Sequence, residues 1–359
     1  MSKRRIMFVS GVAISCVGLY WAMKGVRWGE VAHAFSSPRL YLWSVPFVIL
    51  TLINMWLRGV RTYYLLRHEA ALEQWPLFKI TMIGFAYNCI LPMRAGEFIR
   101  AYLFGKEKGL GFTKAAASLV VERIYDLAMI LLCFVGALMS VNIATELTVD
   151  VFGFQLKGAA IEPLTRKLVI LCLILMVGVC FMLFSRTRAL VLQVIRLLPL
   201  CPHLLKERLF ALVESFASGL RSVRDPGAVA ASLVLSFLVW LSIAVSVWVL
   251  QFGFSEMGPV SMSQSFAIMI FICFAVMLPS GPAYFGMYEA GGVFALLVLG
   301  IVREDQKSLA LSFTLALHFL QVIPITILGL AFALKDHISV KAMETGSGLE
   351  GCEPAIAKR

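Results

Sequence analysis

The chain consists largely of long apolar segments separated by short polar loops. An α-helix rises 1.5 Å per residue, so about 20 apolar residues cross a hydrocarbon core about 30 Å thick. Segments of this kind predict an all-α polytopic membrane protein with about six full transmembrane helices. They cover residues 6–23, 40–57, 115–139, 168–184, 228–250 and 308–334.

Two further apolar segments are too short to cross a membrane, and each ends at a proline. Residues 76–91 stop at Pro92, and residues 262–278 stop at Pro279. Proline lacks an amide donor and clashes with the preceding turn, so each helix should break there. We interpret both segments as broken, re-entrant helical hairpins. Their second helices are predicted at residues 95–104 and 283–302.

The order of span, hairpin and span occurs twice, in halves at about residues 40–140 and 228–334. The starts, breaks and resumptions of the two copies are offset by nearly the same number of residues. The single span 168–184 joins the copies and inverts the second relative to the first. Inverted repeats with discontinuous helices are typical of transporters whose binding sites lie near the bilayer midplane.

The remaining segments complete one transmembrane domain, at residues 1–344. Residues 24–39 form a short polar connection, and residues 345–359 are small and polar, which predicts a disordered tail. Residues 186–224 are basic and carry apolar residues at helical spacing. This pattern fits either an amphipathic segment on an anionic leaflet or a solvated loop helix.

The net charge of +11 resides mainly in the loops between spans. Nucleic acid would be considered for a soluble protein of this charge, but here the basic residues fit topology signals and anionic lipid headgroups. Their bias predicts cytoplasmic N- and C-termini, with an uncleaved first span. The eight cysteines form no CxxC pair, so no disulfide, metal site or cofactor is predicted.

Charged residues surround the first break. Arg94, Glu97 and Arg100 recur every three residues, so they share one broad helix face. Ionisable groups at membrane depth are costly and mark a functional site by default. We expect one or more of these arginines to bind a lipid phosphate, because guanidinium groups match phosphate oxygens. The alternative is a structural ion pair between the hairpin and the next span.

The span after the first hairpin carries Glu122, Arg123 and Asp126. Together with the residues of the first break, these side chains provide as many positive as negative charges. A paired network is therefore expected, with Glu97 facing Arg123, because an unpaired charge in lipid is costly.

The second break, from Leu278 to Gly292, contributes further candidates. Tyr284 is expected to line the same cavity as Asn88 of the first hairpin. Either Glu97 of the first break or Glu289 is a candidate for proton exchange that couples transport to a proton gradient. His318, in the last span, fits a hydrogen-bonded packing residue.

The motifs at both breaks resemble a known family. ILPMRAGEFIRAYL followed by AAASLVVERIYDL, and later LPSGPAYFGMYEA, resemble the flippase-like membrane family named for the lysylphosphatidylglycerol synthase transmembrane region. The resemblance implies a bacterial inner-membrane fold and movement of lipids between leaflets. In the namesake a soluble domain transfers lysine, and that activity is not expected here. Gly281-Pro282-Ala283 departs from the family pattern, so the resemblance does not fix the lipid.

Three classes of function remain after these observations. The first is a flippase for an anionic lipid headgroup or a polyprenyl phosphate. The second is an integral-membrane transferase acting on a lipid-linked substrate, although no catalytic motif supports an enzyme. The third is a non-transporting partner in envelope lipid assembly. The expected partners are membrane lipids, with a homo-oligomer or envelope-synthesis enzymes as further possibilities.

Overall fold

The computed structural model describes residues 3–91, 94–140, 148–151, 154–157, 226–278 and 280–336, together with the single positions 167, 170, 174, 193 and 338. Three predicted segments lie outside these residues apart from such single positions. They are the span 168–184, the basic segment 186–224 and the tail 345–359.

The described residues form α-helices and one short β-hairpin. In chain order they are α1 (Lys3–Met23), α2 (Trp28–Phe35), α3 (Pro38–Leu66), α4 (Gln74–Ile90), α5 (Gly96–Lys106), α6 (Phe112–Ser140), β1 (Thr148–Val151), β2 (Phe154–Lys157), α7 (Pro226–Leu250), α8 (Met262–Met277), α9 (Met287–Val298) and α10 (Lys307–Lys335). Short 3₁₀ turns lie at Glu107–Gly109, Gln251–Gly253, Pro282–Tyr284 and Glu304–Gln306.

Two features between the spans go beyond the prediction. The connection 24–39 contains the amphipathic helix α2, which buries Val31. The all-α fold class is confirmed, and the antiparallel pair β1–β2, in which Val149 lies opposite Leu156, is an addition to it. Alternation of polar and apolar residues in these strands is the period of a half-buried β-strand.

The helices end where local sequence chemistry requires. Leu91 adopts extended backbone, with φ −90° and ψ 142°, as expected for the residue before Pro92. Ser261 and Gln264 cap the start of α8 reciprocally. In the second hairpin, helix α9 begins later than predicted, at Met287 rather than Ala283. Gly286 has φ 89° there, and a residue in that region cannot continue a right-handed helix.

Three described helices are long and apolar enough to cross a membrane, over Pro38–Leu66, Gly227–Gly253 and Glu304–Lys335. The chain is therefore a helical membrane protein. The layout of six spans with two re-entrant hairpins stays a prediction.

The helix contacts are arranged alike in the two halves. Helices α3 and α7 pack along each other at the centre. Around them, α4 packs on α3, α5 and α10, while α8 packs on α7, α9 and α6. Exchanging the halves therefore leaves this pattern of neighbours unchanged. The residues of the first half around Leu77, Ile83 and Phe104 form one hydrophobic core, and those around Ile268, Leu296 and Phe313 form another.

A close approach of backbone fixes the first hairpin. A Cβ atom added to Gly96 would lie 2.1 Å from the carbonyl oxygen of Gly84 and 2.6 Å from the backbone nitrogen of Asn88. Small residues let membrane helices approach this closely and gain dispersion energy. The break is thus held by backbone contact between α4 and the start of α5.

We predict that Gly96→Ala lowers the free energy of unfolding by about 1–3 kcal/mol or more, because backbone atoms cannot move aside as a side chain would. Thermal unfolding in mild detergent measures the effect. Gly29→Ala is the matched control, since a Cβ there meets nothing within 4 Å. Equal thermal stability of the two variants would contradict this packing.

The predicted layout places the α5–α6 turn in the cytoplasm and the α7–α8 turn outside. Lys106 and Ser255 are exposed at these turns. In a background without native cysteines, we expect Lys106→Cys to react with an impermeant maleimide only from the cytoplasm and Ser255→Cys only from outside. Reaction of both from the same side would contradict the inverted repeat.

Candidate functional site

A cluster of charged side chains lies where α3, α5 and α6 meet, and all of its members except Arg123 are buried. We refer to Arg58, Arg61, Arg100, Glu122, Arg123 and Asp126 as the ion-pair cluster. Arg61 lies at its centre, fully buried, with Nη1 2.5 Å from Oδ1 of Asp126 and Nη2 3.4 Å from Oε2 of Glu122. Arg100 also reaches Glu122, at 2.9 Å. The Thr62 hydroxyl donates a hydrogen bond to the same carboxylate.

Helical spacing positions these groups. Arg58 and Arg61 are three residues apart on α3, and Glu122 and Asp126 are four apart on α6, so each pair lies on one helix face. Helix α3 extends to Leu66, beyond the apolar segment that ends at Leu57. Arg58 and Arg61 follow the predicted span 40–57, so the sequence pattern placed them in a loop and not among the candidate site residues. The signal was available in the polar stripe that Asn54, Arg58 and Arg61 form at helical spacing.

The cluster and its neighbour Glu97 carry an excess of positive charge. Four guanidinium groups face three carboxylates, and the carboxylate of Glu97 makes only a 3.9 Å contact with Arg123. Arg58 is the most weakly paired, with Nη1 3.8 Å from Oδ2 of Asp126. Its Nε donates to Oδ1 of Asn54 at 3.0 Å, and its guanidinium lies over the ring of Phe85. Arg58 is thus the cluster member with the most unneutralised charge.

A cavity of about 190 Å³ lies between the two halves, and we refer to it as the central cavity. Helices α3, α4, α7, α8, α9 and α10 and the second break line it. Most of the wall is apolar, and its polar lining residues are Arg58, Asn88, Trp240, Tyr284, Tyr288, His318 and Gln321. Two of these have buried polar atoms without a partner in the described structure, Oδ1 of Asn88 and Nε1 of Trp240.

The two breaks touch each other beside this cavity. Arg94 has φ 54° and donates from Nη2 to the carbonyl oxygen of Val276 at 3.1 Å. Its guanidinium lies over the ring of Tyr284, 5.4 Å from the centroid. Arg94 forms no ion pair with any carboxylate of the described ranges. The exposed guanidinium of Arg94, from the first break, therefore lies at the edge of the central cavity, next to Tyr284 of the second break.

A second buried acid–base pair holds the second break. Oε1 of Glu289 lies 2.6 Å from Nδ1 of His318, and Oε2 accepts a hydrogen bond from the backbone N–H of Gly286 at 2.6 Å. Nε2 of His318 lies 2.7 Å from the carbonyl oxygen of Ala283. Both side chains are almost fully buried. The pair thus spans the strained turn, in which Ala283 has φ 51°.

The structure distributes the predicted site residues over three places. Asn88 and Tyr284 line the central cavity, and Arg94 borders it. Arg100 is buried in the ion-pair cluster, where Glu122 and Thr62 bind its guanidinium, so it does not line the cavity. Glu97 lies at the edge of that cluster.

Glu289 lies behind the cavity wall rather than in it, and His318 is its partner. Sequence analysis treated this histidine as a packing residue, because its carboxylate partner lies on another helix. The described residues contain no group of three or more His, Cys, Asp or Glu side chains that could hold a metal ion.

The ion-pair cluster yields a prediction for stability. We expect Arg61→Gln and Asp126→Asn each to cost about 3–5 kcal/mol, because each leaves an uncompensated buried charge. The double variant should lose clearly less than the sum of the two. Thermal unfolding of the four proteins in detergent measures this coupling.

The matched control is the surface pair Arg303–Asp305, whose atoms are 3.2 Å apart but largely exposed. Its double-variant cycle should show a coupling of about 0–1 kcal/mol. Additive losses for Arg61 and Asp126 would show that the buried contact is not energetically coupled.

Comparison with known proteins gives the family of the chain. The 128-residue segment that matches Glycosyltransferase AglD of Haloferax volcanii is 28% identical and covers 35% of this chain but only 20% of that protein. No solved structure matches. The family model described as "Lysylphosphatidylglycerol synthase TM region" matches residues 8–329, which is most of the chain. The protein therefore belongs to the lysylphosphatidylglycerol synthase transmembrane-region family.

Proposed function

We propose that the protein is a transporter that moves the headgroup of an anionic lipid, or a lipid phosphate, between the leaflets through the central cavity. In this proposal it lies in a bacterial inner membrane with both termini in the cytoplasm. The observation that carries the proposal is the pair of weakly neutralised guanidinium groups at the cavity, Arg58 in its wall and Arg94 at its border.

These two groups are suited to an anion. Guanidinium presents parallel N–H donors that match phosphate oxygens, and it is always charged. The attraction is strong in a poorly solvated cavity, because the effective dielectric is low. Cys273, in the cavity wall, lies within electrostatic reach of both Arg58 and Arg94. An anion beside Cys273 would therefore be attracted by both guanidinium groups.

The size of the cavity favours a headgroup over a whole lipid. A volume of about 190 Å³ equals that of roughly six liquid waters at about 30 Å³ each. That space accommodates a phosphate with a small substituent. The remaining wall is formed by residues such as Ile243, Val247 and Ile325, so acyl chains can stay outside in lipid while the phosphate enters.

The repeated arrangement supports movement between leaflets. In alternating access, two related halves rock about a site at their interface. The central cavity has this position, because both halves line it. Freed backbone groups at the two breaks are tolerated at membrane depth only beside protein or water, which a wet cavity provides.

The family description supports a role connected with membrane lipids. A second candidate is a transferase acting on a lipid-linked substrate, favoured by the partial match to a glycosyltransferase. It would use the same anion site to hold a polyprenyl phosphate. The third is a non-transporting partner of envelope-synthesis enzymes, with the lipid site serving recognition.

We predict that purified protein in vesicles moves labelled headgroups faster than protein-free vesicles do. The panel comprises phosphatidylglycerol, zwitterionic phospholipids and polyprenyl phosphates, with and without a proton gradient. Arg94→Ala should lower the rate at least tenfold, because one guanidinium worth about 1.4 kcal/mol or more to the anion is lost. Arg39→Ala is the charge-matched control. Arg39 is exposed at the N-terminal end of α3, far from the cavity residue Arg58, so this variant should behave as wild type.

Two results separate the candidate functions, and a third tests whether Arg94 belongs to the site. Wild-type protein that moves no lipid of the panel overturns the transport proposal. Conversion of a polyprenyl phosphate to a glycosylated product, with a nucleotide-sugar donor present, would favour the transferase. Normal transport by Arg94→Ala would remove Arg94 from the site and leave the transport proposal intact.

A further inference from the structure

The Glu289–His318 pair carries a shared proton that its hydrogen bonds require. A carbonyl oxygen only accepts, so Nε2 of His318 must be protonated to donate to Ala283. Nδ1 of His318 and Oε1 of Glu289 are 2.6 Å apart, and two lone pairs would repel at that distance. A proton therefore lies between them. Oε2 of Glu289 is already occupied as the acceptor for the N–H of Gly286.

The pair has no net charge, wherever the shared proton lies. It is either an imidazolium beside a carboxylate or a neutral imidazole beside a carboxylic acid. Both arrangements suit a buried site in a membrane protein, because a net charge there is costly. Loss of the shared proton leaves one negative charge and two opposing lone pairs. The deprotonated pair consequently needs a nearby positive charge.

The surroundings provide such a charge only from the direction of the cavity. Tyr288 of α9 stacks on the imidazole with ring centroids 4.1 Å apart, and its hydroxyl donates to Gln321 of α10. Cys273 of α8 is the titratable group next to Tyr288. Helix α1 contributes the hydroxyl of Ser15, which binds Gly281 of the break. Among the described side chains near the pair, these groups are uncharged in their ordinary states.

The nearest charged groups on the cavity side are Arg58 and Arg94, which lie beyond these uncharged neighbours of the pair. His318 lines the cavity together with Arg58 of α3, and Tyr284 of the break carries the guanidinium of Arg94 on its ring. Asn88 and Cys89 of α4 also line it and are neutral. The field at the pair therefore depends on whether an anion neutralises Arg58 and Arg94.

We propose that the Glu289–His318 pair takes up a proton when an anionic headgroup binds in the central cavity, so that protons and anions are bound together. This inference rests on the proposed function and adds its coupling ion. The positive charge of the two guanidinium groups makes loss of the shared proton less costly than it is when an anion neutralises them. A bound phosphate cancels that positive field, and the neutral pair is favoured again. By reciprocity, protonation strengthens binding of the anion by the same factor.

The first half contains the related pair that cannot act in this way. Glu97 follows the first break on α5 and faces Arg123 of the next helix, as Glu289 follows the second break and faces His318. A guanidinium keeps its proton at any physiological pH, whereas an imidazole can exchange its own. Of these two described pairs, the one in the second half is therefore better suited to proton linkage.

The shared proton also determines the shape of the second break. The hydrogen bonds of the pair hold the carbonyl of Ala283 and the N–H of Gly286, on either side of Tyr284, which has φ 62°. A conformation of this kind persists only where its surroundings hold it. Loss of the proton removes the hydrogen bond that joins the two side chains, so Tyr284 and the guanidinium above it are held less firmly in the deprotonated state.

Calorimetric binding of dihexanoyl phosphatidylglycerol, in buffers of different ionisation enthalpy, tests the proposal, because its phosphodiester exchanges no proton of its own near neutral pH. Farnesyl phosphate is a monoester that titrates at about pH 6, so only its affinity is compared. Wild-type protein should take up protons on binding, up to one per headgroup. Its affinity should fall with rising pH, by at most about tenfold per pH unit, across the range in which the pair loses its proton.

Glu289→Gln is the decisive variant. The carboxamide can donate to Nδ1 of His318 and still accept from Gly286, so the three hydrogen bonds survive while the exchangeable proton is lost. We expect binding within about threefold of wild type at low pH, no proton uptake and no pH dependence. His318→Gln, whose amide still reaches the carbonyl of Ala283, is the second variant if the first is unstable. Glu256→Gln, at an exposed carboxylate, should match wild type.

The outcomes are separate from those of the proposed function. Binding without proton uptake by the wild-type protein overturns the coupling and leaves anion transport standing. Proton uptake that persists in both Glu289→Gln and His318→Gln places the proton elsewhere and overturns the assignment. Absence of binding and of transport by the wild-type protein removes both proposals.

Discussion

The burial of charge in an apolar environment is the constraint on which the first half of the molecule depends. Arg61 and Glu122 are completely buried. Arg61 is tolerated there because Glu122 and Asp126 pair with it, and Glu122 because Arg61 and Arg100 pair with it. Desolvation of such groups costs several kcal/mol each, so the helices that carry them cannot separate without exposing an unpaired charge to lipid. The cluster therefore fixes α3, α5 and α6 relative to one another more firmly than their apolar contacts alone would. It also leaves Arg58 as the group whose charge is available to the central cavity.

In the second half, a buried carboxylate and a histidine, rather than arginines and carboxylates, hold the structure together. Its break contains three residues with positive φ, and backbone in that region relaxes unless it is held. Glu289 and His318 hold it by hydrogen bonds to main-chain atoms rather than to other charges. The first break is held by the close approach of Gly96 to Gly84, so its acidic and basic side chains are not needed for that task. Backbone packing thus holds the first break, whereas side-chain hydrogen bonds to the backbone hold the second.

Much of the fold could be predicted from sequence, because apolar length and proline position are local signals. Pro92 and Pro279, at which the breaks were predicted, each lie two residues beyond the end of a helix, α4 at Ile90 and α8 at Met277. What failed depended on contacts between distant segments. Arg58 and Arg61 were expected in a loop because they follow the last apolar residues of the span. Their partner Asp126 lies on α6, far away in sequence. His318 read as a lone histidine because Glu289 is on another helix. The β-hairpin and α2 were missed because short amphipathic elements are weak against a background of membrane segments.

The contact between Asn54 and Ser242 has a mechanical consequence. The amide of Asn54 donates to Ser242 Oγ at 2.8 Å and to the carbonyl of Val239 at 2.7 Å, in the buried seam between α3 and α7. The two residues are 188 positions apart and occupy comparable places in the two repeats, so each half meets its own counterpart there. A slide of one helix along the other by a single turn would strand the amide in hydrocarbon. The contact therefore favours tilting of the two helices about this point over sliding of one along the other, because tilting keeps the hydrogen bonds of Asn54.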